Sequence, residues 1–195
     1  MSDQPAHPMV PPRPTQLAQM ILRESIQKGD VVIDATAGNG HDTVFLAECA
    51  GANGRVLAFD VQQSAIDSAR TRVLTAGFDS RVEFHRTSHA RMSEHAEAGT
   101  ISAVMFNLGY LPGEDHELTT MAPETLTGLE VAADLLRSGG VLSVVCYPGH
   151  PEGETEAAAV EAEMAGLIEQ GWRLAKYGML GTRRPAPFLI VGRKP

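Results

Sequence analysis

Apolar and polar positions along the chain change period repeatedly, from the three-to-four spacing of a helix to the continuous or alternating runs of a strand. Leu17, Met20 and Ile21 repeat at i, i+3 and i+4, with Glu24 interrupting the face, which predicts an amphipathic helix over 15–28 closed by Gly29. Strand-like and helical runs then alternate: strand 31–35 and helix 42–50, strand 55–60 and helix 64–76, strand 82–85 and a weak helix near 88–96. The series continues with strand 101–107, helix 123–137, strand 141–147, helix 155–170 and two closing strands near 173–180 and 188–193. Strands separated by helices require right-handed crossovers, so the pattern predicts an α/β fold with a doubly wound, mostly parallel seven-stranded sheet covered on both faces. Only Gly-Thr-Arg-Arg-Pro-Ala-Pro separates the last two strands, too little for a crossover helix. They are expected to form an antiparallel hairpin, with one antiparallel strand ending the sheet.

A length of 195 residues suits one domain, read here as 15–195 after an extended arm over 1–14, and no internal repeat is visible. The arm holds five prolines and no apolar core, unlike a signal peptide, and the longest apolar runs fall well short of the roughly 20 residues that span a bilayer. A cytoplasmic protein without a membrane span is expected. Cys49 and Cys146 are far apart in apolar surroundings, which favours buried reduced thiols over a disulfide. The net charge of −8 argues against indiscriminate coating of nucleic acid, but the charge is unevenly placed. Residues 111–170 carry 12 acids against the single base Arg137, whereas 171–195 carry Arg173, Lys176, Arg183, Arg184, Arg193 and Lys194 and no acid. Solvated strand ends and a phosphate-contacting surface both fit that basic patch.

The candidate chemistry begins at Val31-Val-Ile-Asp-Ala-Thr-Ala-Gly-Asn-Gly-His-Asp-Thr43, an apolar strand followed by a loop with Gly38 and Gly40 and a helix opened by Asp42 or Thr43. Glycines let backbone approach a ligand closely, and the carboxyl end of the strand faces the crevice where such sheets bind ligands. Asp60 ends the second strand 20 positions after Gly40, where an acid accepts hydrogen bonds from ribose hydroxyls. A pyrophosphate site calls for a third glycine where His41-Asp42 stand, and the carboxylate there repels phosphate. Acids at Asp34 and Asp42 suit instead a cofactor with an ammonium and a sulfonium, namely S-adenosylmethionine. The candidate cofactor-binding residues are Asp34, Thr36, Gly38, Asn39, Gly40, Asp42, Thr43, Asp60 and Gln62. Ser88 and His89 after the third strand, where adenine is usually contacted, and Asn107 complete the set.

Four motifs together, Asp34-Ala-Thr-Ala-Gly-Asn-Gly-His-Asp-Thr43, Phe106-Asn-Leu-Gly-Tyr-Leu-Pro112, Tyr147-Pro-Gly-His150 and Pro185-Ala-Pro-Phe188, resemble those of a class I methyltransferase family labelled rRNA methylases. The resemblance covers nearly the whole chain. It implies the seven-stranded methyltransferase sheet and, since members of the family act as tRNA methyltransferases, conversion of 5-aminomethyl-2-thiouridine at the wobble position to its methylaminomethyl form. The Pro185-Ala-Pro-Phe188 segment departs from relatives, which carry two polar residues before paired prolines.

Asn107, at the end of the fourth strand, opens a segment similar to the Asn-Pro-Pro-Tyr motif of amine methyltransferases, with Leu108-Gly109 in place of the two prolines. In that motif a side-chain carbonyl and a following backbone carbonyl accept the amine hydrogens and aim the lone pair, while the aromatic ring packs on the base. Asn107 and Tyr110 are therefore candidate catalytic residues, with Leu108 and Gly109 binding substrate. Tyr147 and His150 are candidates for the loop that removes the amine proton, although an ordinary Gly- and Pro-rich loop fits equally. Arg183 and Arg184 are candidate phosphate contacts. The wobble base of an anticodon loop is already poorly stacked, which suits extrusion into a small domain. The expected partner is tRNA, and the sequence leaves open whether the chain is a monomer or a homodimer. No metal is expected, because His85, His89 and His95 lack an ordered set of co-ligands. A nicotinamide-dependent oxidoreductase, a non-catalytic cofactor sensor, and a methyltransferase for rRNA or small amines are the alternatives.

Overall fold

A computed structural model describes residues 11–109, 122–149 and 151–195. Helix α1 (Pro14–Ser25) leads into β1 (Val31–Asp34), α2 (His41–Ala50), β2 (Arg55–Asp60), α3 (Gln63–Thr75) and β3 (Val82–Arg86). A 3-10 segment, His89–Glu94, precedes β4 (Ile101–Leu108), followed by α4 (Ala122–Leu135), β5 (Leu136–Cys146), α5 (Pro151–Gly166), β6 (Arg173–Gly178) and β7 (Phe188–Arg193). The sheet order is β3-β2-β1-β4-β5-β7-β6, with β1 to β5 parallel and β7 antiparallel to both neighbours. The expected hairpin is present, but its antiparallel strand is inserted between β5 and β6 rather than ending the sheet, and β6 forms the edge.

Strand order reverses between β1 and β4, whose carboxyl ends carry Asp34 and, two residues beyond its neighbour Met105, Asn107. In open α/β sheets the crevice at such a reversal is where ligands bind. Alternation along the strands divides the core between two faces. Ile33, Phe59, Val104, Phe106 and Val144 pack under α4 and α5, while Val32, Val56, Met105 and Val145 pack with Ala18 and Leu22 of α1 and Leu46 of α2. Cys49 and Cys146 are free thiols buried in different clusters. No helix among the described residues is long and apolar enough to cross a membrane.

Some boundaries differ from expectation. Helix α4 stops at Leu135 rather than at Arg137, and β5 starts five residues before Val141. Leu136 is buried beside Ile101 ahead of a register shift, and Arg137 turns back to an ion pair with Asp30 at 3.1 Å. The weak helix near 88–96 is a short 3-10 turn, and α5 begins at Pro151, where a proline with no N–H to lose suits a first helical turn.

Candidate cofactor and acceptor site

The loop between β1 and α2 is held in one shape by its own polar groups. Gly38 and Gly40 have φ of +48° and +78°, values that L side chains rarely adopt. A Cβ on Gly40 would also stand 2.7 Å from the Cα of Ala69, so glycine lets the loop lie against α3. Asp34, only 1% exposed, accepts the Thr36 N–H at 3.2 Å and the Thr43 hydroxyl at 2.6 Å. Asp60 accepts the Gly38 N–H at 2.9 Å with one oxygen and the Gln62 N–H at 3.0 Å with the other. Asn39 turns to α3: its side-chain carbonyl accepts the Ser68 hydroxyl at 3.1 Å and its backbone carbonyl the Arg72 Nε–H at 2.6 Å. Asn39 and Gln62 thus shape the loop and its neighbour from within.

Burial, and next the adjacent Asp42 charge, push the Asp34 carboxyl up to about 7, against the pull of the bonds from Thr43 and Thr36. Its folded value lies above the ordinary 3.8, so its contribution to stability is full below that pH and is lost as pH rises through about 7. Between pH 5 and 8 the wild type is expected to lose thermal stability relative to Asp34→Asn. Melting curves that stay parallel across that range would show that Asp34 does not titrate there.

The candidate acceptor end is built from β4, β5 and α2. The Asn107 backbone N–H donates to the Thr36 hydroxyl oxygen at 2.8 Å, and its Nδ2 donates to Asp42 at 3.0 Å, while its Oδ1 is buried without a partner among the described residues. Leu108 is buried, and a Cβ on Gly109 would meet the Tyr147 ring at 3.4 Å. Burial, then the Asp42 charge, raise the Tyr147 pKa, with Asn107 opposing, so the phenol stays protonated at neutral pH. Strand β7 starts opposite Cys146, which brings the 179–187 linker to this end of the sheet, and a Cβ on Gly149 would lie 3.5 Å from the Pro185 carbonyl oxygen. Arg183 and Arg184 on that linker are exposed. Tyr110 and His150 lie outside the described residues.

The Ser88 hydroxyl caps the 3-10 turn by accepting the Ala90 N–H at 3.2 Å, and donates to Glu124 at 3.3 Å. His89 is buried edge-on to Phe106, and burial lowers its pKa. A Cβ on Gly128 would reach 2.4 Å from its ring, so Gly128 makes room for it under α4. Among the described residues no cluster of three His, Cys, Asp or Glu is arranged to hold a metal. Gln19 of α1, which no sequence signal singled out, donates to Asp42 at 2.8 Å.

These residues fit S-adenosylmethionine better than a dinucleotide. Asp60 stands against the glycine loop with Asp42 nearby, and the negative field they set up favours a cofactor with cationic groups and opposes a pyrophosphate. The family model described as "Putative rRNA methylase" matches residues 56–193. The chain is 38% identical over 186 residues to the chloroplastic tRNA (mnm(5)s(2)U34)-methyltransferase of Arabidopsis thaliana, covering 90% of this chain and 67% of that protein. A Clostridium thermocellum crystal structure bearing the same description as the family superposes with a TM-score of 0.92 at 32% identity, covering 96% of this chain and all of that one. A Streptococcus mutans "putative methyltransferase" in complex with SAH gives 0.85 at 31% identity, over 95% of this chain and 100% of that one. The chain thus belongs to the family described as "Putative rRNA methylase" and is an S-adenosylmethionine-dependent methyltransferase.

Proposed function

We propose that this enzyme methylates the aminomethyl nitrogen of 5-aminomethyl-2-thiouridine at the wobble position of tRNA, within the cytoplasm. The observation that carries the reading is the Asn107 Oδ1, a buried carbonyl with no donor among the described residues, at the carboxyl end of β4 beside Tyr147 and Asp42. A primary amine has the hydrogens to satisfy that oxygen, with a second one for the Leu108 carbonyl, whereas a ring nitrogen of an intact adenine has none. The relative from Arabidopsis, named for a tRNA wobble uridine, supports the choice of RNA. Two free, buried thiols suit a reducing compartment such as the cytoplasm.

S-adenosylmethionine supplies, when bound, a methyl group on a sulfonium open to in-line displacement. In this reading Asp60 would receive its ribose hydroxyls, the Gly38–Gly40 loop would hold its amino acid end, and Ser88 and His89 would contact the adenine. Asn107 Oδ1 and the Leu108 carbonyl accept the two hydrogens of the neutral amine and direct its lone pair, so the protein contributes mainly by positioning. Tyr147 stays protonated at neutral pH and is therefore no base for the amine, which assigns proton removal to His150 or to water. Tyr110 is assigned the aromatic contact with the base.

Arg183 and Arg184 in the linker beside this end of the sheet are assigned to RNA phosphates. The double variant Arg183→Ala with Arg184→Ala is expected to raise KM for tRNA several-fold, leave kcat near wild type and flatten the salt dependence of binding. An unchanged salt slope would remove the linker from the RNA interface. The function itself is tested by incubating the enzyme with labelled S-adenosylmethionine and, separately, tRNA lacking the terminal methyl, ribosomal RNA and small primary amines. Label is expected in the tRNA alone; label only in ribosomal RNA or in the free amines would replace the reading.

A further inference from the structure

The structure assigns Asp42 and Gln19 a positioning role: together they fix which end of the Asn107 side-chain amide faces the acceptor. This inference rests on the reading of Asn107 as the group that receives the substrate amine. An ionised carboxylate has acceptors only, so the end of Asn107 that meets Asp42 must be its NH2, and Nδ2 donates there at 3.0 Å. The reverse orientation would set a carbonyl against a carboxylate with no proton between them. The Asn107 backbone is already fixed by its N–H bond to Thr36 at 2.8 Å, which leaves rotation of the side-chain amide as the remaining freedom. With Nδ2 directed to Asp42, Oδ1 is the end left over, buried and without a donor among the described residues.

Asp42 is held in turn. Its second oxygen accepts Gln19 Nε2 at 2.8 Å, so both oxygens are engaged by amides from different elements. Gln19 stands on α1, next to the fully buried Ala18 and one turn before Leu22, and the Pro12 carbonyl ahead of the helix accepts the Tyr177 hydroxyl at 2.7 Å. Helix α1 therefore lies outside the cofactor loop yet reaches the acceptor through one carboxylate. Asp42 accordingly acts on the substrate side through Asn107 rather than as a direct ligand of the cofactor.

The test compares Asp42→Asn and Gln19→Met with Asn107→Ala in one tRNA methylation assay, with cofactor affinity measured by calorimetry and folding by thermal melting. Asn at position 42 keeps the size but presents either a donor or an acceptor, so Asn107 loses its preferred orientation. A kcat loss on the order of tenfold is expected, with KM for tRNA and Kd for S-adenosylmethionine within about twofold of wild type. Gln19→Met keeps the volume, removes the donor and is expected to give the same pattern at about threefold. An Asp42→Asn variant whose cofactor affinity falls as much as its turnover would make Asp42 a cofactor ligand and overturn the proposal, as would unchanged kcat in both variants. If Asp42→Asn does not fold, Gln19→Met decides by the same criteria. Full turnover in Asn107→Ala would defeat the acceptor reading, whereas loss in Asn107→Ala with unchanged kcat in the other two would defeat the positioning role alone.

Discussion

Asn107→Ala is expected to lower kcat and kcat/KM together by about 100-fold, roughly 2.7 kcal/mol of transition-state stabilisation, while cofactor affinity stays close to wild type. The expectation follows from where its amide stands. Its Oδ1 has no donor among the described residues, so none of their packing depends on that oxygen, and the variant removes a carbonyl whose use awaits a substrate. Loss of the Nδ2 bond leaves Asp42 with Gln19 as a remaining partner, which limits structural damage. Kinetics at saturating tRNA and cofactor check it. Near-normal turnover there would shift the acceptor to the loop that starts at Tyr147.

Asp60→Ala is expected to act at the opposite step, weakening S-adenosylmethionine by about 1.5–3 kcal/mol, the range for hydrogen bonds to a charged group. Asp60 has two tasks. Its oxygens already accept N–H groups of Gly38 and Gln62, and each oxygen retains acceptor capacity toward ribose hydroxyls. Part of the loss therefore comes from a loosened glycine loop. Asp60→Asn separates the two tasks, since its amide can keep one backbone bond while losing charge. Calorimetry on folded protein that finds the Asp60→Ala affinity unchanged would take Asp60 out of the site.

What could be read from the sequence was whatever local spacing encodes. The strand, Gly38, Gly40 and helix follow one another within a few residues, and Asp60 lies one βα unit further on, so the loop and its acid were found together. Asn107 is legible as a candidate because it lies near the end of an apolar strand and opens a recognisable motif. The Gln19–Asp42–Asn107 connection was not, because it joins α1, α2 and β4 across the sheet. Gln19 sits in a helix whose visible signal is its apolar face. Asn39 reads in sequence as a loop residue open to a ligand, and its bond with Ser68 of α3 is a contact across elements that local spacing does not encode. The early start of β5 was hidden because Leu136 and Arg137 continue a helical pattern, and only pairing with β4 and the bond to Asp30 draw them into the sheet. The insertion of β7 between β5 and β6 likewise depends on pairing, on which a short linker is silent.

The most direct measurement is nucleoside mass analysis of tRNA that carries 5-aminomethyl-2-thiouridine, before and after incubation with the purified protein and S-adenosylmethionine. The expected result is loss of that nucleoside and appearance, in equal amount, of a species heavier by one methyl group in place of hydrogen, at the wobble position only and absent with Asn107→Ala. Recovery of the aminomethyl nucleoside unchanged, from a protein that calorimetry shows to bind the cofactor, would contradict the account.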